Sequence, residues 1–130
     1  KNIIITFFSN VNHLNTSIQL NLFNQILQNF VQNAIKFTPN EKSIAIRLKK
    51  TKEKIIITVT DEGIGIPENV DLFAPFKRIG NQSGVGLGLF LAKNAADALR
   101  AKITLANRDD QKSGCVAKLI LRSNTSKDII

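Results

Sequence analysis

Six of the seven glycines and two of the three prolines lie between Asp61 and Gly88, and no other feature constrains the fold as much. Glycine loses the most freedom on ordering, and proline cannot donate to a hydrogen-bonded ladder. A stretch rich in both is loop, so regular structure has to stand on either side of it. A loop with so few side chains brings its backbone close to something, which is a common arrangement in binding loops.

On the N-terminal side, residues 3–8 form an apolar run that reads as a first strand. Residues 9–17 are polar and loop-like. From Leu20 to Phe37 the period changes: Phe23, Ile26, Leu27, Phe30, Val31 and Ala34 follow the i, i+3, i+4, i+7 spacing of an amphipathic helix. Thr38-Pro39-Asn40 stops it, because proline disfavours helical backbone in the residue before it. Ile44, Ile46 and Leu48 then alternate with Ala45, Arg47 and Lys49, and residues 55–60 are almost wholly β-branched. Residues 50–53 between them read as a hairpin turn. On the C-terminal side a second helix is expected from about Gly86 to Arg100, with Leu87, Phe90, Leu91, Ala95 and Ala98 on its buried side. Residues 102–106 and 115–121 read as two more strands, joined by the polar segment 107–114. Helices that each bury one face on a largely antiparallel sheet give a two-layer α/β (α+β) sandwich, not a doubly wound fold. About five strands and about three helices are expected. Residues 1–130 form one domain, with 1–17 and 123–130 peripheral.

Composition narrows the function. Hydrophobic residues are 43% and charged residues 22% of the 130, which suits a globular domain with a core. No window approaches the roughly 18 apolar residues of a spanning helix. One cysteine excludes an internal disulfide. The absence of any methionine suggests a piece excised from a longer polypeptide. The formal charge of +8 favours anionic partners without choosing among them. Basic residues look dispersed along the chain, and the eight phenylalanines, with no tyrosine or tryptophan, fall in apolar patterns that read as core. Stacking platforms for nucleic acid interleave exposed aromatics with cations, so no nucleic-acid partner is expected.

Three segments carry chemistry. Asn29, Asn33 and Lys36 stand at i, i+4 and i+7, within about 60° of one another on the helix. Amide oxygens suit a hard metal ion, and a lysine beside them suits a phosphate, although a plain polar surface would look similar. Asp61-Glu62-Gly63-Ile64-Gly65 follows a buried strand. A carboxylate there needs a partner; the exocyclic amine of adenine would serve, and so would a turn of its own loop. Ser83-Gly84-Val85-Gly86-Leu87-Gly88 feeds a helix N-terminus, whose free N–H groups attract anions. It lacks the Gly-Lys-Ser/Thr of a Walker loop and the third glycine of the dinucleotide fingerprint.

Taken in order, these segments resemble the ATP-binding catalytic domain of sensor histidine kinases, in the superfamily of DNA gyrase B, Hsp90 and MutL, with the Bergerat ATP-binding fold. Residues 29–39 resemble the N box, 61–66 the first glycine box, Phe73-Ala74-Pro75-Phe76 the F box and 84–89 the second glycine box. The resemblance covers about residues 18–122. It implies Mg²⁺ on Asn33 with help from Asn29, phosphate on Lys36, and the adenine amine on Asp61. It implies close approach of the base to Gly63 and Gly65, and an anion cradle and lid hinge at Gly84, Gly86, Leu87 and Gly88. Phe76 and Lys77 are implied in nucleotide binding, and Asn29, Lys36 and Arg78 in catalysis. The implied activity is transfer of the γ-phosphoryl of Mg-ATP to a histidine on a separate dimerisation domain, with a response regulator downstream. The domain would be a monomer in the cytoplasm, reaching a membrane only through missing parts of its parent. The alternatives are a nucleotide-sensing module without transfer and a gyrase-type ATPase. An asparagine at 29, which cannot act as a general base, favours transfer over hydrolysis.

The sequence departs from the family at three places. Leu99-Arg100 stands where a glycine pair is frequent, Val116 where a threonine lies near the base, and Leu121-Arg122 replaces a closing Leu-Pro. Val116 is expected to weaken contacts to adenine. His13 lacks the acidic, basic and proline neighbours of a phosphoacceptor and reads as an exposed loop residue. Cys115 reads as a small buried hydrophobe.

Overall fold

Five strands make one mixed sheet in the order β1-β2-β3-β5-β4. The computed structural model describes residues 2–14, 18–67, 71–74 and 87–123. The elements are β1 (Ile4–Ser9), α1 (Leu20–Phe37), β2 (Ser43–Lys50), β3 (Lys54–Asp61), α2 (Gly88–Ala98), β4 (Lys102–Asn107) and β5 (Cys115–Arg122). Only β1 and β2 run parallel; β2–β3, β3–β5 and β5–β4 are antiparallel. The expected sandwich and its five strands are therefore present, with strand ends within a residue or two of the sequence reading. Two helices, not three, occur among the described residues.

Strict alternation in β3 and β5 decides which side is covered. Ile55, Ile57, Val59 and Asp61 point under the helices, as do Cys115, Ala117, Leu119 and Leu121 of β5. α1 lays Ile26, Phe30 and Ala34 on that face. It ends where expected: Thr38 is extended, and its N–H still donates to the Ala34 carbonyl at 3.0 Å.

Two expectations need correction. The buried stripe of α2 is Ala92, Ala95 and Ala96, while Leu91 is 41% exposed and Ala98 is exposed. Residues 89–92 are apolar on every side, so periodicity could not fix the phase. Alanine against α1 allows the two helices to approach closely. The phenylalanine expectation holds only in part: Phe30 is buried and Phe23 and Phe73 pack against the core, but Phe7 and Phe8 are 62% and 48% exposed. They belong to β1, an edge strand exposed along its whole length, beyond the reach of the helices. The cations, dispersed along the chain, are partly gathered in space, because the strand register places several on the face of the sheet away from the helices.

Helix α2 closes with Arg100 at φ +57°, and the Ala101 N–H reaches back to the Ala96 carbonyl at 2.8 Å. This is the left-handed stop that glycine makes most easily. The arginine departure from the family's glycine pair falls on the residue that bears the strain.

Candidate functional site

The C-terminal end of β3 opens into a pocket roofed by α1 and the start of α2. Its walls include Phe30, Ala34, Phe37, Val59, Leu72 and Leu89, and its polar lining is Asn33, Asp61, Gly65 and Cys115. The pocket is thus an apolar slot with a few convergent polar groups, the usual composition of a small-molecule site.

Asp61 is the deepest charge. It is 7% exposed, and its Oδ1 accepts from the Gly63 N–H at 2.9 Å and from the Cys115 N–H at 3.0 Å. Both bonds fall on one oxygen, so Oδ2 keeps its capacity for an outside donor. Burial raises the carboxyl pKa above its ordinary value. The two backbone bonds and the Arg108 guanidinium pull it back without cancelling the rise. Asp61 therefore ties its own turn, as one reading of the sequence expects, and it also lines the pocket.

The loop after Asp61 is held from beneath. Asn107 clasps Ile66 twice, its Oδ1 accepting from the Ile66 N–H at 2.7 Å and its Nδ2 donating to the Ile66 carbonyl at 3.0 Å. Arg108 donates to the Asp61 carbonyl at 3.2 Å and pairs with Asp110. Ser113 donates its hydroxyl to the Gly63 carbonyl at 2.5 Å. Gly114, at φ +141°, packs so tightly on the Asp61 carbonyl that no Cβ fits there. By composition, residues 107–114 are a plain polar connector. Nothing in their composition signals that they clamp a loop some 41 to 50 residues earlier.

The amide row of α1 divides in space. Asn33 lines the pocket. Asn29 sits one turn earlier, where its Nδ2 donates to the Gln25 carbonyl at 2.7 Å. Its Oδ1 faces Gly88, the first residue of α2, and a Cβ on Gly88 would collide with that oxygen. Lys36 is exposed, with its ammonium 6.0 Å from the Phe37 ring centroid. Gly63 is buried against the Phe37 carbonyl, and Gly65 adopts φ +82° at the pocket rim. Leu87 precedes α2 and accepts from the Leu91 N–H at 2.9 Å. Phe76, Lys77, Arg78, Gly84 and Gly86 lie outside the described residues.

Val116 is a further correction. It points to the uncovered side of the sheet, while Cys115 and Ala117 line the pocket. A one-residue shift along a strand exchanges the two faces, so Val116 lies away from the pocket and Cys115 lines it instead. The Cys115 thiol is pushed up to about 12 by burial and by the neighbouring Asp61 carboxylate, so it is a protonated wall group at neutral pH.

The histidine kinase-, DNA gyrase B- and HSP90-like ATPase family matches residues 19–125. Sensor protein KdpD of Mycobacterium tuberculosis is 34% identical over 88 residues, 64% of this chain and 10% of that protein. Sensor protein CreC of Escherichia coli K12 is 30% identical over 122 residues, 90% of this chain and 25% of that protein. The chain therefore spans a quarter or less of the length of these two relatives. The nucleotide-free catalytic domain of histidine kinase ThkA is 28% identical, with a TM-score of 0.80 over 93% of this chain and 80% of that one. ThkA has also been solved in complex with the response regulator TrrA. With a family match over residues 19–125 and a fold shared with a solved histidine kinase catalytic domain, this chain belongs to the family of histidine kinase-, DNA gyrase B- and HSP90-like ATPases.

Proposed function

We propose that the chain is the ATP-binding catalytic domain of a two-component sensor histidine kinase. It binds Mg-ATP and gives the γ-phosphoryl to a histidine on a separate dimerisation domain, from which a response regulator receives it. The observation that carries this reading is Asp61: a buried carboxylate at the floor of an apolar slot, with one oxygen committed to backbone and the other available. The adenine amine supplies the donor, and the slot walls enclose the ring. Gly63 and Gly65 keep side chains out of the way of the base.

Magnesium fits the amides and does not need a carboxylate cage. No group of three or more histidine, cysteine or acidic side chains able to hold a metal occurs among the described residues. Asn33 in the pocket wall and Asn29 at the α1–α2 contact offer amide oxygens, which with triphosphate oxygens and water make a hard donor set. When bound, the ion neutralises charge on the β- and γ-phosphates. Lys36, Lys77 and Arg78 are assigned to the phosphate tail, and Phe76 to the nucleotide. Gly84, Gly86, Leu87 and Gly88 are assigned, by the resemblance, to the phosphate cradle. Asn29 orients and does not remove a proton, so water is not activated and the phosphoryl group is kept for the histidine. The same reading places the domain in the cytoplasm and as a monomer in isolation.

The test adds radiolabelled ATP and magnesium to the chain together with the dimerisation domain of its parent. Label appearing on the histidine, and lost with Asp61→Asn, is expected. Free phosphate released at an appreciable rate by the chain alone, and abolished by Asn29→Ala, would instead assign a gyrase-type ATPase. ATP binding without transfer to the cognate histidine would assign a nucleotide sensor.

A further inference from the structure

Among the described residues, the face of the sheet away from the helices carries one sign of charge. The register places Arg47, Lys49, Lys54, Lys102, Lys118 and Arg122 on it, on the side opposite Ile55, Ile57 and Val59. Asp61 is the only acidic residue in any of the five strands, and it points the other way. The ion pairs formed among the described residues, Lys93–Asp97 and Arg108–Asp110, involve none of the six cations. Glu53 stands at the rim in the β2–β3 turn. Glu62 stands at the opposite rim, with its Oε2 accepting from the Ser43 N–H at 3.0 Å. Lys54 and Arg122 are direct cross-strand partners, an arrangement that costs folding stability. A surface shaped by stability alone would mix signs there.

Beside the cations lies the β1 edge, which shows Ile4, Ile5, Phe7 and Phe8 at 48–63% exposure. Ile4 and Phe8 share the basic face, and the Arg47 guanidinium lies 4.9 Å from the Phe8 ring centroid. Apolar side chains protruding at the border of a cationic plane are the two ingredients of peripheral membrane binding. Among the strand residues, the face has neither a ring ladder nor an amide side chain to read single-stranded nucleic acid, and Phe8 is the one aromatic residue that the strands place on it.

We propose that this open face and the β1 edge dock the domain on an anionic bilayer surface. The cations meet lipid phosphates and Ile4 and Phe8 enter the interfacial layer. This contact is separate from any anchor elsewhere in a parent protein. It leaves the nucleotide pocket free, because Asp61 and Cys115 open on the opposite side of the sheet.

The test is sedimentation of the chain with vesicles of phosphatidylglycerol and phosphatidylcholine, and with vesicles of phosphatidylcholine alone. Binding to the anionic vesicles only, weakened by salt, is expected. Lys49→Gln/Lys102→Gln/Arg122→Gln should lower partitioning by about a hundredfold, at about fivefold per cation, and Phe8→Ser should lower it further. Unchanged thermal protection by ATP in the triple variant would show that fold and pocket are intact. Equal partitioning on both vesicle types, or an unaffected triple variant, would overturn the proposal. Tighter association with duplex DNA or polyglutamate than with vesicles at the same salt, lost in the same variant, would also overturn it and reassign the face.

Discussion

The two faces of this sheet share every backbone hydrogen bond and differ in almost everything else. Under the helices, β3 and β5 present Ile55, Ile57, Val59, Leu119 and Leu121, with Asp61 as the single charge. On the open side the same two strands present Lys54, Ile56, Thr58, Thr60, Lys118 and Arg122. A charge under the helices is expensive and must be answered by a partner. A charge on the open side is cheap, so single charges there need no explanation and only their uniform sign does. The covered face therefore reports on the pocket, and the open face reports on what the domain lies against.

Ile55 and Ile56 are identical side chains one residue apart, and they give the widest separation between the faces. Ile55 is 1% exposed and Ile56 is half-buried on the other side. Ile55→Ala should cost about 2–5 kcal/mol, as cavity-forming truncations do. Ile56→Ala should cost about 1 kcal/mol or less, since the site stays open to water. Urea titration of both variants measures the difference. Equal losses would mean that the open face is covered in solution and that the comparison fails.

Asp61→Asn should separate ligand affinity from stability. Losing a hydrogen bond to a charged group costs about 1.5–3 kcal/mol, or about 10- to 150-fold in ATP affinity. Calorimetry with ATP and with bare triphosphate checks it, since only the adenine nucleotide should weaken. The unliganded variant should be more stable than wild type at neutral pH. Burial raises the folded-state pKa of Asp61 above its ordinary 3.8, so the folded form holds its proton to higher pH than the unfolded form. The stability linked to this group is fully present below 3.8 and is lost as pH rises through the raised value. The advantage of the asparagine variant should accordingly vanish in acid and grow toward neutrality. An advantage independent of pH would deny that the carboxylate is desolvated.

Cys115 extends the same logic to alkali. Its thiol is displaced from 9.0 to about 12 by burial and by Asp61. The linked stability is full below 9 and is lost as pH rises toward 12. Alkylation by iodoacetamide at pH 8 should be slow in the folded chain and fast in urea. Asp61→Asn should speed it, because one of the two causes of the shift is removed. No change in rate with that variant would mean that the two groups do not sense each other.

Much of this was legible in the residues, for reasons that also explain what was not. Helix α1 has a clean period stopped by Pro39, so its end and its buried side could be read directly, while β3 and β5 could be bounded, by a polar turn and a glycine, but not given a buried side. The amide row and Asp61 were found because their side chains violate the pattern around them. Helix α2 is apolar on too many sides for its phase to show. Val116 was placed on the wrong face because parity along a strand depends on where pairing starts. Exposure of β1 depends on its position at the sheet edge, which no local pattern encodes. The Asn107 clasp and the gathering of cations both depend on residues far apart in the chain, so neither exists before the strands are paired.

The smallest effect tests the open face by reversing one of its charges. Lys54 and Arg122 stand directly opposite in the antiparallel register, and like charges so placed repel. Lys54→Glu turns that repulsion into attraction, and opposite-charge cross-strand pairs are worth about 0.2–1 kcal/mol. Both side chains are exposed, so the gain lies toward the lower end of that range and should shrink further in salt. Thermal unfolding at low and high ionic strength would measure it as a small, salt-sensitive rise in Tm. The same substitution should weaken binding to anionic vesicles. A variant that gains stability while losing surface affinity shows that the basic pair is kept at the expense of folding. A variant that loses both assigns Lys54 a packing role, through its aliphatic stem, that outweighs its charge.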